Sequence, residues 1–123
     1  MFDHVGVPVR DAEKSRAFCT AALAPLGIGV AIEFPGWVGF GSASRPQFWL
    51  VGEATPPSGV HIAFTPAPRA DVDTFYHAAI TAGGRDNGAP SLRSHYHADY
   101  HGAFMLDPDG LNVEAVGHLA ESA

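Results

Sequence analysis

The chain has 123 residues, 46% of them apolar and only 16% charged, which excludes intrinsic disorder and is enough for one hydrophobic core. Seven Lys and Arg stand against 13 Asp and Glu for a formal net charge of -6, and the basic residues are scattered, so nucleic acid and anionic membranes are excluded as partners. The longest apolar stretch, 21–32, is broken by Pro25, Gly27 and Gly29, no signal-peptide pattern opens the chain, and the lone Cys19 cannot form an internal disulfide; a cytoplasmic protein is expected.

In chain order, 2–9 alternates and predicts a strand, with Val5, Val7 and Val9 on one face and His4, Gly6 and Pro8 on the other. Asp11 is placed to cap a helix running to about Leu26, with Ala17, Phe18, Ala21, Ala22 and Leu26 on its buried side. Residues 30–52 read as short strands broken at Pro35-Gly36, Gly41-Ser42 and Arg45-Pro46. The Pro-containing segment 54–59 reads as a linker. A strand over 60–65, a helix over 71–82, a stop at Gly83-Gly84, and strands around 96–106 and 111–116 complete the chain. Asp107-Pro108-Asp109-Gly110 is a turn between the last two strands.

The second half repeats the first. His4 recurs as His61, 57 residues on, and the same offset carries Phe18 to Phe75, Ala21 to Ala78, Ala22 to Ala79 and Gly27 to Gly84. One domain is therefore expected, with a first module over 1–53, a linker over 54–59, a second module over 60–118 and a tail over 119–123. Each module reads as strand, helix, then about three strands.

Chemistry enters on the strands. Val113 and Ala115 form an apolar face suited to a helix, so Glu114 points to the opposite side of the sheet, where an unpaired carboxylate is costly. By the same alternation Ile62 and Phe64 face the helix and His61 does not. His4, His61 and Glu114 are thus expected to converge in one concavity, built within one chain or shared across two. Two imidazoles and a carboxylate suit a divalent metal such as iron, zinc, nickel or manganese.

The strand beginning His4-Val5-Gly6, the midpoint His61-Ile62-Ala63 and the closing Asp107-Pro108-Asp109-Gly110 with Glu114 resemble the vicinal oxygen chelate superfamily, which includes glyoxalase I, bleomycin and fosfomycin resistance proteins and extradiol dioxygenases. The resemblance covers nearly the whole chain. It implies an α+β fold of two tandem βαβββ modules, forming curled mixed sheets around a shared cavity, with metal ligands at His4, His61 and Glu114. Small members commonly dimerise, and the low charge content fits a homodimer. There is one departure: where glyoxalase I carries a fourth ligand, a glutamate, this chain has Trp49 or at best Gln47.

The segment 93–101 packs three histidines and two tyrosines. Hairpin counting that pairs Leu106 with Leu111 sets Ala103 opposite Glu114 and turns His101 into the cavity as a general acid or base. Tyr96 and Tyr100 are candidates to bond an anionic substrate, although strict alternation turns both away unless a bulge or loop intervenes. His77 and His118 read as surface residues and Cys19 as a packed apolar one. Trp37, Phe40 and Trp49 either line the cavity or fill the core.

The expected function is that of a metal-dependent enzyme of the glyoxalase or dioxygenase type, either a lyase or isomerase or a ring-cleaving oxygenase, acting on a small oxygen-chelating substrate. The rival is a non-enzymatic binding protein, similar to the bleomycin-sequestering members, using an aromatic cleft that includes Trp37, Trp49, Tyr96 and Tyr100.

Overall fold

The computed structural model describes residues 1–65 and 68–119. The first half comprises β1 (Val5–Pro8), α1 (Ala12–Leu23), a 3-10 turn (Ala24–Leu26), β2 (Gly29–Phe34), β3 (Trp37–Gly41) and β4 (Phe48–Val51). The second comprises β5 (His61–Phe64), α2 (Arg69–Thr81), β6 (Arg85–Leu92), β7 (His101–Leu106) and β8 (Asn112–Gly117). The two sheets are ordered β1-β4-β3-β2 and β5-β8-β7-β6, so the second half repeats the topology of the first. In each, the opening strand runs parallel to the last and the other pairs are antiparallel. This is the expected α+β architecture of tandem βαβββ units, with sheets that curl without closing.

Local chemistry sets the element ends. The Asp11 carboxylate accepts from the Lys14 N–H at 3.1 Å and caps α1. The second helix starts at Arg69, earlier than expected, directly after Pro68, whose fixed φ suits a helix entry. Residues 66 and 67, and 120–123 of the expected tail, lie outside the described residues.

Phe18, Cys19, Ala22 and Leu23 of α1 and Val72, Phe75 and Ala79 of α2 form one buried cluster with Val7, Phe40, Leu50, Met105, Val113 and Ala115 of the strands. The halves meet through this layer: Phe48 of β4 and Phe64 of β5 touch edge to face at 5.2 Å. Burial drives the Cys19 thiol pKa up and leaves it an inert packing residue. A tie across the halves comes from Asp109, whose carboxylate accepts from the Arg10 N–H at 3.1 Å.

The hairpin β7–β8 corrects the expected register by one residue. Leu106 pairs with Asn112, Ala103 with Ala115, and Phe104 with Glu114. The cause is Asp107, which is 4% exposed. Its carboxylate accepts from the N–H groups of Asp109 at 2.9 Å and Leu111 at 2.8 Å, while its own N–H donates to the Leu111 carbonyl at 3.0 Å. Leu111 is thereby captured by the turn, and pairing starts one residue later. The preceding strand is also shorter than expected. Residues 93–100 form a loop, its neck closed by the Arg93 N–H on the Tyr100 carbonyl at 2.6 Å.

Candidate functional site

The parallel register of β5 and β8 sets Ala63 opposite Glu114, and His61 on the same face reaches it. His61 Nε2 and Glu114 Oε1 lie 2.8 Å apart. The second carboxylate oxygen, Oε2, accepts from the Tyr100 hydroxyl. Glu114 is only 1% exposed while His61 is 47% exposed, so the carboxylate is sealed beneath an imidazole that opens to solvent. His61 borders a groove of about 450 Å³ lined also by Phe2, Gly6, Pro8, Pro57 and Ala63, which places β1 and β5 along one cleft.

Tyr100 reaches Glu114 because of the register and because of Gly102. A Cβ at position 102 would lie 3.0 Å from Glu114 Oε2 and 3.0 Å from Tyr100 Cε1. The bare backbone there leaves the phenol room to fold onto the carboxylate. Burial, then the bond to Glu114 and its charge, push the Tyr100 pKa up to about 12; the Arg93 guanidinium opposes this weakly. Phe104, opposite Glu114, meets the His61 ring edge to face at 5.8 Å.

His4 is not part of this group, so of the two arrangements the sequence left open, a three-residue convergence within one chain is not the one observed. It precedes β1, is exposed, and its Nδ1 lies 2.6 Å from Asp3 Oδ1, a contact that holds the Asp3 carboxyl below its ordinary range. Its ring borders an open groove of about 680 Å³, walled by Phe34, Trp37, Pro46, Trp49 and Val51, which meets the His61 groove along Gly6 and Pro8 of β1. Among the described residues no three His, Cys, Asp or Glu side chains gather where they could share a metal. The physical reason is that each half curls its own sheet, with no strand pairing between the two among the described residues. Alternation along a strand fixes a face but not which faces meet.

Register identifies which residue of the first half is the counterpart of Glu114. Trp49 pairs with Gly6 on β1 as Glu114 pairs with Ala63 on β5. Trp49, not Gln47, is therefore the counterpart of Glu114. Its indole lies parallel to Phe34 at 6.4 Å and edge-on to Trp37 at 6.4 Å. Phe40 belongs to the core, fully buried.

His101 also departs from expectation. With the register shifted it turns to α2, where its Nε2 lies 2.9 Å from Asp73 Oδ1, and its buried Nδ1 has no partner among the described residues. Tyr96 sits exposed in the 93–100 loop, its ring against His95 at 4.2 Å and Tyr100 at 5.3 Å. Sequence reasoning missed Arg93 and Phe104 on the Glu114 face. The glycines at 88 and 102, each leaving room inside a strand, were the available signal.

No family model matches the chain, and no curated protein matches it. Solved structures do. A glyoxalase/bleomycin resistance protein from Albidiferax ferrireducens T118 is 29% identical, with a TM-score of 0.84 over 95% of this chain and 98% of that one. A glyoxalase/bleomycin resistance protein/dioxygenase family enzyme from Burkholderia phytofirmans PsJN is 20% identical, with a TM-score of 0.73 over 95% and 98%. A glyoxalase/bleomycin resistance protein/dioxygenase from Nocardioides is 19% identical, with a TM-score of 0.65 over 99% and 85%. The fold is that of the vicinal oxygen chelate superfamily, as the sequence resemblance implied. Among the described residues no helix is long and apolar enough to cross a membrane.

Proposed function

We propose that this chain is a divalent-metal-dependent enzyme of the glyoxalase or dioxygenase type, acting on a small oxygen-chelating molecule, with His61 and Glu114 as its centre. The observation that carries the reading is the state of Glu114. It is a carboxylate 1% exposed, and among the described residues its side-chain bonds go to one imidazole and one phenol, neither a permanent cation. A buried carboxylate without a fixed positive partner is costly, and a divalent ion beside it removes that cost. The two donors fit: imidazole nitrogen and carboxylate oxygen already point at each other, and an ion would replace the proton they share.

His61 and Glu114 would hold the ion, and His4 is the third ligand. Since one chain keeps His4 apart, His4 comes from a second copy in a homodimer. The exposed Val5, Phe34 and Trp37 on the first half support such an association. Iron, zinc, nickel and manganese all accept this donor set. When bound, the metal supplies Lewis acidity toward vicinal oxygens. Tyr100, bonded to Oε2, fixes the carboxylate and leaves Oε1 to the open side; its raised pKa keeps it a donor at neutral pH. Phe104 walls the imidazole.

A second reading, sequestration of a small molecule without chemistry, is favoured by the Phe34, Trp37 and Trp49 groove on the other half. Elemental analysis of tag-free protein separates the two. About one divalent ion per chain, lost in Glu114→Ala and in His4→Ala, is expected of the enzyme. Iron then selects oxygenation, and zinc, nickel or manganese selects lyase or isomerase work. Wild type that takes up no metal on reconstitution overturns the reading in favour of sequestration.

A further inference from the structure

We propose that Arg93 is the anion-recognising residue of this site and that the substrate carries a carboxylate; the proposal names the substrate class for the function above and rests on it. Arg93 opens the 93–100 loop, and its backbone bond to Tyr100 sets the two side by side at the neck. Its guanidinium lies over the Phe104 ring at 4.8 Å from the centroid. The far side of that reach is His61, which touches the same ring. Arg93 therefore shares one face with His61, Glu114 and Tyr100.

The seat is built. Nη2 donates to the Ala89 carbonyl at 3.0 Å. Gly88, at φ +152°, pairs with Phe104, and a Cβ there would lie 3.0 Å from Nη2 and 3.0 Å from the Phe104 ring. Only glycine takes that backbone and clears that space. The sequence thus gives up a side chain within β6 to lay a cation across the face.

What the seat lacks is an anion. Arg16 is bound to Glu33 at 2.8 Å, but among the described residues Arg93 has no carboxylate partner, and its Nε is buried without a bond. A planar fork of donors held on an aromatic floor beside a reactive imidazole matches the two oxygens of a carboxylate. A substrate so held turns its remaining oxygens toward His61 and Glu114.

Benzoate and its neutral isostere benzamide serve as probes, titrated into the purified protein and followed by proton–nitrogen NMR. Benzoate should shift the Arg93 Nε–H signal saturably and bind at least about tenfold tighter than benzamide. Arg93→Gln should weaken benzoate at least about tenfold, and Arg93→Lys should fall between. Arg16→Gln, which removes an exposed cation away from this face, should leave benzoate affinity within about threefold, and metal-free wild type should retain the Arg93-dependent binding, so failure of the metal reading and failure of this one are separable. Equal affinity for both probes would overturn the proposal. So would undiminished benzoate binding in Arg93→Gln, or an equal loss in Arg16→Gln. The wild-type shift map decides even if a variant folds poorly.

Discussion

Trp49 and Glu114 hold the same place in the two halves, one opposite Gly6 on β1 and the other opposite Ala63 on β5. The duplication thus carries an indole where its twin carries the buried carboxylate. One half offers an aromatic wall and the other a polar centre, and the two differ in chemistry although they share topology.

Trp49→Ala should reveal that division. Trp49 is half-buried and packs against Phe34 and Trp37, so the loss should be about 1–2 kcal/mol in urea denaturation. Under the proposed function metal content should not change, because the ligand proposed from this half is His4.

Tyr100→Phe leaves one oxygen of a buried carboxylate without its bond and should cost about 1–3 kcal/mol. Gly102→Ala should act similarly by pushing Tyr100 off Glu114. The two are told from general damage by tyrosine titration in the near ultraviolet. Wild type should keep a phenol ionising at about pH 12, absent from Tyr100→Phe and shifted downward in Gly102→Ala. Because the folded pKa is raised, this stabilisation is full below the unfolded tyrosine value of about 10 and is lost as pH climbs through about 12.

Asp107 makes the opposite case. Burial raises its pKa against the pull of the Leu111, Asp109 and Gly110 N–H groups. Its ionised form therefore costs stability at neutral pH, a cost relieved as pH falls through the raised value. Asp107→Asn keeps an acceptor for both turn N–H groups and sheds the charge. Its melting temperature at neutral pH should equal or exceed that of wild type. Asp107→Ala, which abandons both N–H groups, should lose about 1–3 kcal/mol.

If the metal site spans two copies, defective chains should complement each other. His4→Ala and Glu114→Ala homodimers should each lack metal. Unfolded together and refolded as a mixture, they should recover up to one ion per mixed dimer, read by elemental analysis after gel filtration. Mixtures that stay empty would place His4 outside the site.

Much of this was legible in the sequence. The repeat gave the tandem topology, and alternation put His61 and Glu114 on one face, where they meet at 2.8 Å. What was not legible depended on side chains acting on backbone at turns. The Asp107 carboxylate captures Leu111, shifts the hairpin by one residue, and so exchanges the sides of Tyr100 and His101. The closed neck at Arg93 and Tyr100 is made of backbone bonds that no residue pattern announces. The separation of His4 from His61 is a matter of how two sheets lie in space, which periodicity within a strand does not contain.

The most direct test of the His61–Glu114 centre is calorimetric titration of zinc into metal-free wild type, His61→Ala and Glu114→Gln, in buffers of different ionisation heat. The expected result is about one ion per chain in wild type with release of protons, affinity falling as pH is lowered, and loss of that uptake in both variants. Equal zinc uptake in wild type and both variants, or none in any of them, would contradict it.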